Sequence, residues 1–326
     1  AGFKEIGEEG RKLEEELVRV ARRAGIRVIG PNCLGVIVTD SKLNASFGGD
    51  LPAVGGTGYL SQSGAMLAAI LDTAKANGIG FSSLFSIGNK ADVDELDLLR
   101  YFHEDEDTEV IMLYLEELRR GPEFIEAVKE ITTGDFRPTP VLVIKSGRTG
   151  AGAQAAASHT GALAGTEGVY DAIFKQSGII RVDSIDELFD FATAFAYKNE
   201  SALGKLRRKV PDGNRVAIVT NAGGPGVMAA DHCTDVGLTL AELAPATVAA
   251  LDEALPASWS RNNPVDVLGD AGPERYEVAV KTCLDDPGVD AALVILTPQA
   301  QTAPTDVADA LCRLKESSHK PVLACW

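Results

Sequence analysis

The sequence has no long apolar run and a deficit of positive charge. None of its apolar segments approaches the roughly 20 residues that span a bilayer. Acidic residues outnumber basic ones 47 to 31, and the formal charge of −16 disfavours nucleic acid and anionic membrane surfaces as partners. An anionic substrate must therefore be captured by local groups rather than by the overall electrostatic field.

Cysteine is scarce and dispersed, and no pair has CxxC spacing. This distribution favours reduced thiols in a cytoplasmic protein over a disulfide framework or a zinc site. We therefore predict a cytoplasmic location and no metal site in this chain. The five cysteines are Cys33, Cys233, Cys283, Cys312 and Cys325.

Short apolar strands alternate with helical stretches along most of the chain. Val110–Leu115 and Val141–Ile144 are typical of the strands, Gly64–Ala76 is typical of the helices, and Arg27–Gly30 also has a strand-like pattern. Strands that are apolar on both faces indicate a parallel sheet covered by helices on both sides. The pattern predicts an α/β protein with two flavodoxin-like, parallel-sheet units, preceded by the tail of a third.

A charged segment, Lys198–Gly213, interrupts this alternation and ends in a Pro-Asp-Gly turn signal. It is the best candidate for a domain boundary. The chain begins almost directly with an amphipathic helix and ends on a strand-like run, so we expect it to be a fragment of a longer polypeptide.

A histidine surrounded by small residues follows the strand-like run Pro140–Lys145 and a Gly/Ala-rich loop. His159 lies in the octapeptide SHTGALAG. An imidazole is neutral and nucleophilic near its unperturbed pKa of about 6.5, so it can accept a phosphoryl group and pass it on. An ordinary loop histidine is the alternative, and the octapeptide alone leaves both open. His103 and His319 are typical of surface residues, and His232 lies within a predicted helix.

Two strand-to-helix turns are candidate anion sites, because such turns expose unpaired N–H groups at the positive end of a helix dipole. One is Ser61–Ala65 and the other is Asn221–Gly226, and each follows a predicted strand. Taken alone each signal is weak, since glycine is also needed for a tight turn. The predicted phosphate-binding residues are Ser61, Gln62, Ser63, Gly64, Ala65, Gly161, Gly223, Gly224, Pro225 and Gly226.

Two further turns, Gly30–Gly35 and Ser86–Lys90, also lie where strands end, which is the usual ligand side of a doubly wound sheet. For Cys33 a packed thiol is the favoured interpretation over a nucleophile, because no histidine lies near it in sequence to lower its pKa. Glu116 directly follows another strand. If the Glu116 carboxylate lay against an imidazole, it would fix the tautomer of that ring and stabilise a positive charge on it. Carboxylates at strand ends are, however, often only solvated.

Several motifs occur together in one order: GPNCLG, YLSQSGA, IGNKADVDELDLL, YLEE and KSGRT…SHTGALAG. With them the chain closely resembles the α part of NDP-forming acyl-CoA synthetases, best of all the ADP-forming acetate–CoA ligases, relatives of succinyl-CoA synthetase. The resemblance covers essentially the whole chain. It implies a remnant of a Rossmann-type CoA-binding domain at residues 1–50, a phosphohistidine domain at 51–200 and a second flavodoxin-like ligase-CoA domain at 201–326, truncated at its C-terminus.

The resemblance also implies an activity, in which acyl-CoA, ADP and phosphate give an organic acid, CoA and ATP by way of an acyl phosphate and a phosphohistidine. His159 matches the phosphoryl carrier and Glu116 its supporting carboxylate. ADP or ATP and Mg²⁺ would bind an ATP-grasp part, fused or on a partner subunit, so we expect the fragment alone to be inactive and the enzyme to be an oligomer. Residues predicted to bind coenzyme A are Asn32, Cys33, Gly88, Asn89 and Lys90.

Two alternatives stay open. The chain could be a ligand-sensing synthetase-like module of a protein acetyltransferase, but such modules typically lose the histidine, which is intact here. It could also be a non-catalytic CoA- or anion-binding module. If the ligase interpretation holds, phosphate should bind where the Ser61–Ala65 and Gly223–Gly226 turns face each other near His159.

Overall fold

The computed structural model describes residues 2–134, 137–152, 154, 167–196 and 211–326. The chain divides into two compact units, residues 1–206 and residues 207–326. Each unit has its own sheet and its own hydrophobic core.

The first unit is built on a seven-stranded sheet with the strand order β2-β1-β4-β3-β5-β6-β7. Strands β3 to β7 run parallel, whereas β1 is antiparallel to both β2 and β4. The strands are β1 (Gly35–Val38), β2 (Leu43–Ser46), β3 (Val54–Ser61), β4 (Phe81–Ser86), β5 (Val110–Leu115), β6 (Val141–Lys145) and β7 (Ile180–Arg181). A 3-10 turn at Lys4–Ile6 precedes the helices α1 (Glu8–Arg23), α2 (Gly64–Asn77), α3 (Glu95–Glu104), α4 (Gly121–Thr133), α5 (Glu167–Ser177) and α6 (Ile185–Phe195).

Alternate residues of the central strands pack into two separate cores, one on each face of the sheet. Leu60 and Leu113 lie against helices α3, α4 and α5, while Tyr59 and Met112 lie against α2 and α6. All four are fully buried, and full burial of such a side chain contributes roughly 1.5–3 kcal/mol. The apolar runs read from the sequence are thus strands covered on both faces, and the predicted α/β fold with parallel sheets is confirmed.

The first fifty residues depart from the expected pattern in two ways. β1 and β2 form an antiparallel hairpin that extends the sheet of the first unit, where the sequence pattern predicted parallel strands throughout. Arg27–Gly30 is not a strand, because its backbone pairs with the loop after β4: the Val93 N–H donates to Val28 O at 3.1 Å, and the Ala91 N–H donates to Gly30 O at 2.9 Å. The assignment of residues 1–50 to a CoA-binding domain stays a prediction.

The second unit has a parallel sheet with the order β10-β8-β11-β12, and β9 pairs with β8. One core lies between the sheet and α8, α9 and α10, and a smaller cluster lies under α7. Within the described ranges, no helix of either unit is long and apolar enough to cross a bilayer. The elements are β8 (Arg215–Thr220), α7 (Gly223–Asp235), β9 (Thr239–Leu240), α8 (Pro245–Ala254), β10 (Val265–Asp266), α9 (Pro273–Asp285), β11 (Ala291–Ile295), α10 (Pro304–Ser317) and β12 (Val322–Cys325).

Candidate functional site

A cleft of about 800 Å³ opens in the first unit, lined by residues that follow β3, β4 and β5. Parallel strands end at the same edge of a sheet, so turns far apart in sequence meet there. The cleft brings together most of the predicted site residues of this unit: Asn32, Cys33, Gln62, Ser63, Gly64, Ala65, Gly88, Asn89, Lys90 and Glu116.

The turn after β3 is fixed by two serines. Ser61 is fully buried, and its hydroxyl accepts the Ser63 N–H at 3.1 Å and donates to Ser63 O at 2.7 Å. Ser63 is the N-cap of α2, with its hydroxyl accepting the Met66 N–H at 3.3 Å. The amides of Gly64 and Ala65, in the first turn, have no intrahelical acceptor and border the cleft. The Ser61 side chain is thus buried and shapes the turn, and its predicted contact with phosphate stays a prediction.

The side chain of Gln62 also has protein partners. Its side-chain oxygen accepts the N–H groups of Glu116 and Glu117 at 2.7 and 3.0 Å, and its side-chain nitrogen donates to Glu117 O at 2.9 Å. These three bonds tie the start of α2 to the loop after β5. We call this arrangement the Gln62 clamp. The carboxamide thus holds protein backbone, and the predicted contact of Gln62 with phosphate stays a prediction.

The turns Gly30–Gly35 and Ser86–Lys90 lie against each other. The Asn89 N–H donates to Pro31 O at 2.9 Å, and the Asn32 carboxamide donates to the Asn89 side chain at 3.3 Å. Gly88 has a φ of +48°, and a Cβ there would lie 2.2 Å from Asn32 O. Only glycine fits this position, since any side chain would force the two turns apart.

Asn89 connects this turn to the N-terminal segment. The buried Asn89 carboxamide donates to Glu5 at 2.8 Å and to Glu14 at 2.7 Å. The backbone carbonyl of Asn89 accepts from the Lys4 ammonium at 2.8 Å. Burial opposes ionisation of Glu5, but hydrogen bonds from Asn89 and from the backbone outweigh it and lower its pKa to about 2. Glu5 is therefore a fixed anion at this edge of the cleft.

The Lys90 ammonium is committed to protein partners. The side chain is 2% exposed, and its nitrogen lies 3.1 Å from the Glu95 carboxylate and donates to Glu117 O at 2.8 Å. Burial lowers the pKa of Lys90, and the carboxylates of Glu95 and Glu117 oppose that shift. The ammonium group thus forms a buried ion pair, and the predicted contact of Lys90 with coenzyme A stays a prediction.

Cys33 is half-buried, and burial raises the pKa of its thiol. This agrees with the packed-thiol interpretation.

His103 is half-buried with Nδ1 3.1 Å from the Thr139 hydroxyl, where the sequence suggested a surface residue, and burial lowers its pKa. Over the residues that the structure describes, no cluster of His, Cys, Asp or Glu could hold a metal ion.

Glu116 follows β5 and lines the cleft, with its backbone N–H held by the Gln62 clamp. His159 and Gly161 lie outside the described residues. The pairing of Glu116 with His159 therefore stays a prediction.

The second unit has the corresponding turn after β8. The Thr220 hydroxyl accepts the Ala222 N–H at 3.1 Å, and the Asn221 carboxamide exchanges two hydrogen bonds with the Thr297 backbone, at 2.8 and 3.0 Å. Gly223 and Gly224 begin α7 and are exposed, together with half-buried Pro225.

Gly226 has a packing role, and its predicted contact with phosphate stays a prediction. It is buried, and a Cβ there would lie 2.9 Å from the Thr220 methyl group. The expectation that the two turns share one anion stays a prediction.

The sequence analysis did not predict that the Gln62 and Asn221 carboxamides bind neighbouring loops, although the sequence carries a signal for both clamps. In both units a hydroxyl residue ends the strand and a carboxamide residue follows it, Ser61-Gln62 and Thr220-Asn221. Each hydroxyl bridges the backbone of the residue two positions on, and each carboxamide binds the loop after the next strand along the sheet.

Comparison with known proteins defines the class of both units. The model for the succinyl-CoA ligase like flavodoxin domain matches residues 54–195, and that for the ligase-CoA domain matches residues 216–323. The chain is 46% identical to acetate–CoA ligase [ADP-forming] I of Archaeoglobus fulgidus, over 92% of this chain and 42% of that protein. It is 42% identical to the α subunit of acetate–CoA ligase [ADP-forming] II of Pyrococcus furiosus, over 100% of this chain and 69% of that subunit.

A solved structure gives the same result for the fold. The dinucleotide-forming acetyl-coenzyme A synthetase 1 of Candidatus Korarchaeum cryptofilum, in complex with phosphate and ADP, matches with a TM-score of 0.89 and 38% identity, covering 99% of this chain and 67% of that one. The chain belongs to the ADP-forming acetate–CoA ligase family, with similarity to its α subunits. The family predicted from the motifs is confirmed, and neither alternative is supported by these relatives. The chain spans less than half the length of the Archaeoglobus relative.

Proposed function

We propose that the chain is the α-type part of an ADP-forming acyl-CoA synthetase, which converts acyl-CoA, ADP and phosphate into an organic acid, CoA and ATP. The observation that carries this proposal is the cleft of about 800 Å³ that gathers the turns after β3, β4 and β5 beside Glu116. The named activity of the relatives supports it.

Phosphate is assigned to the start of α2. Gly64 and Ala65 present amides without intrahelical acceptors, and the positive end of the helix dipole stabilises an anion there by roughly 0.3–1 kcal/mol. The Ser61 hydroxyl and the Gln62 clamp hold this turn from outside, so binding an anion requires no rearrangement of the helix start.

Coenzyme A is assigned to the adjoining side of the cleft, where Asn32, Cys33, Gly88 and Asn89 lie. Asn32 is exposed, with its carboxamide free to bind at the rim apart from one long bond to Asn89. Close packing at Gly88 keeps the backbone of both turns in one position. The chemistry of this side, amide groups and backbone beside a neutral thiol, suits an extended amide-containing substrate such as pantetheine.

Three transfers make up the reaction. A phosphate oxygen attacks the thioester carbonyl, the C–S bond breaks, and CoA leaves as a thiolate that takes a proton. The His159 nitrogen then attacks phosphorus, the bond between phosphorus and the acyl oxygen breaks, and the carboxylate leaves. Finally an oxygen of ADP takes the phosphoryl group and the imidazole is regenerated. Such transfers ask the protein mainly for positioning and charge stabilisation.

The remaining parts of the enzyme are also proposals. ADP and Mg²⁺ are assigned to an ATP-grasp part on the same polypeptide or a partner subunit, in an oligomeric and cytoplasmic enzyme. The Korarchaeum relative was solved with ADP and phosphate, which supports nucleotide use. We retain the division into residues 1–50, 51–200 and 201–326, with the CoA-binding remnant first.

The test is phosphorylation of the chain by ATP in the presence of its ATP-grasp part. An acid-labile, base-stable phosphoprotein is expected, and it should disappear in His159→Asn while the far-UV circular dichroism stays unchanged. His319→Asn, at an exposed histidine of the second unit, is the matched control. Glu116→Gln should slow phosphorylation without unfolding the chain. Phosphorylation of His159→Asn at the normal rate would contradict the assignment, and saturable micromolar ADP binding by the chain alone would contradict the placement of the nucleotide.

A further inference from the structure

Two lysines line the described part of the cleft, and only one of them is accessible. The Lys90 ammonium is buried in an ion pair with Glu95. Lys4 is half-buried, and its Nζ donates to Asn89 O at 2.8 Å. None of the three proposed transfers uses Lys4, so the cleft holds a primary amine without an assigned role.

A second cation lies beside the Lys4 ammonium. A guanidinium nitrogen of Arg119 lies 3.5 Å from the same Asn89 carbonyl oxygen that accepts from Lys4. Burial lowers the pKa of Lys4, and the charge of Arg119 adds to this shift. The carboxylates of Glu117 and Glu14 oppose it. A lysine that is desolvated beside another cation has a larger neutral fraction, and the neutral amine is the nucleophile.

The other nucleophilic side chains of the cleft are less suited to react. Burial raises the pKa of the Cys33 thiol, so little of it is thiolate at neutral pH. The Ser63 hydroxyl caps α2, and a hydroxyl needs an adjacent base to become nucleophilic. Lys4 is therefore the group of this cleft that an electrophile would modify first.

The proposed function supplies such an electrophile. The first transfer yields an acyl phosphate, and its phosphate end is assigned to the amides of Gly64 and Ala65 at the start of α2. Lys4 lines the same cleft of about 800 Å³ as these two residues. An amine in the same cleft as an acyl donor meets it at a far higher effective concentration than a lysine on the open surface does.

We propose that Lys4 is a self-acylation site, modified by the acyl phosphate that the enzyme makes in this cleft. This rests on the proposed function. The neutral Lys4 nitrogen attacks the acyl carbon, the bond between that carbon and the bridging oxygen breaks, and phosphate leaves while the nitrogen gives up a proton to water. The amide product is uncharged, so acylation removes the positive charge that interacts with Glu117 and Glu14.

The test uses the complete enzyme, the chain with its ATP-grasp part, incubated with acetyl-CoA and phosphate but without ADP. A phosphorylated His159 cannot then pass its group on, so acetyl phosphate persists in the cleft. Peptide mass spectrometry should find Lys4 acetylated at least about tenfold faster than Lys42 and Lys75. Both controls are exposed lysines of the first unit, outside the cleft lining that the structure describes. Adding ADP should slow acetylation of Lys4, and leaving out phosphate should reduce it to the rate of the controls.

Two variants assign the site on the intact chain. Lys4→Arg keeps the positive charge and removes the amine, so it should abolish the fastest acetylation, whereas Lys42→Arg should not change it. Equal rates at Lys4 and at the control lysines, or an unchanged Lys4 rate without phosphate, would overturn the proposal even if ATP still phosphorylates the chain. An enzyme that forms neither a phosphoprotein with ATP nor acetyl phosphate from acetyl-CoA and phosphate would overturn the proposed function itself, and the inference with it.

Discussion

Truncating the Gln62 clamp should loosen the loop that carries Glu116. Gln62→Ala removes three hydrogen bonds to the loop after β5, at 2.7, 2.9 and 3.0 Å. The N–H groups of Glu116 and Glu117 then lose their acceptor. Gln62 is only 8% exposed, so in the wild type these bonds lie largely out of water.

The magnitude follows from those three bonds. Each contributes about 1 kcal/mol net, and an unsatisfied buried donor costs about 1–3 kcal/mol. The loop is half-buried, so water replaces part of what is lost. We expect the free energy of opening this loop to fall by about 2 kcal/mol, which corresponds to about thirtyfold faster exchange of its amide hydrogens.

The assay is native-state hydrogen exchange at the amides of Glu116 and Glu117. Tryptophan fluorescence would miss the change, because both tryptophans, Trp259 and Trp326, lie in the second unit. Gln176→Ala, at an exposed glutamine on α5, is the control and should leave this exchange unchanged. If Gln62→Ala exchanges these two amides at the wild-type rate, the carboxamide does not hold the loop.

Three further predictions concern other positions. Asn221→Ala should accelerate amide exchange in the loop after β11 by a similar factor, because it removes the two bonds of the matching clamp. Gly88→Ala should lower the denaturation midpoint strongly, since its φ is +48° and the added Cβ meets backbone, whereas Gly168→Ala, with open space around it, should not. Asp290 pairs with Arg215, whose hydrogen bonds lower the pKa of that carboxyl from 3.8 to about 2. The ionised Asp290 carboxylate therefore stabilises the second unit fully above pH 4, and this contribution is lost as the pH falls toward 2. Asp290→Asn should lower the free energy of unfolding in urea at pH 7. The difference from wild type should shrink between pH 4 and pH 2.

Much of the fold could be predicted because its strands are uninterrupted apolar runs. β5 has the bounds that the sequence pattern predicts, and β6 extends one residue beyond its predicted run, to Lys145. The hairpin of β1 and β2 escaped prediction because its residues are few and partly polar, so its place in the sheet depends on pairing with β4. Helices α8 and α9 were not predicted, although each begins with a proline, a recognised signal for a helix start.

The candidate site could be predicted at the level of turns but not of side-chain partners. The turns predicted at strand ends were expected at one edge of the sheet, and those after β3 and β4 line one cleft, since parallel strands end together. The partners of Asn89 are Glu5 and Glu14, 84 and 75 residues away, and nothing local in the sequence indicates them. Lys90 had an acceptor five residues away, Glu95, but only burial decides that the pair forms.

The two clamps explain how a turn can be rigid and still leave a helix start open to a ligand. A helix start binds an anion only if its first amides are unused, yet a turn without hydrogen bonds would not hold its shape. In both units the strand-end hydroxyl satisfies the backbone of the residue before the helix, and the carboxamide anchors the turn to the loop after the next strand. These bonds stabilise the turn without using the first amides of the helix. Gly64 and Ala65 in one unit, and Gly223 and Gly224 in the other, therefore keep amides without intrahelical acceptors, which an anion can bind.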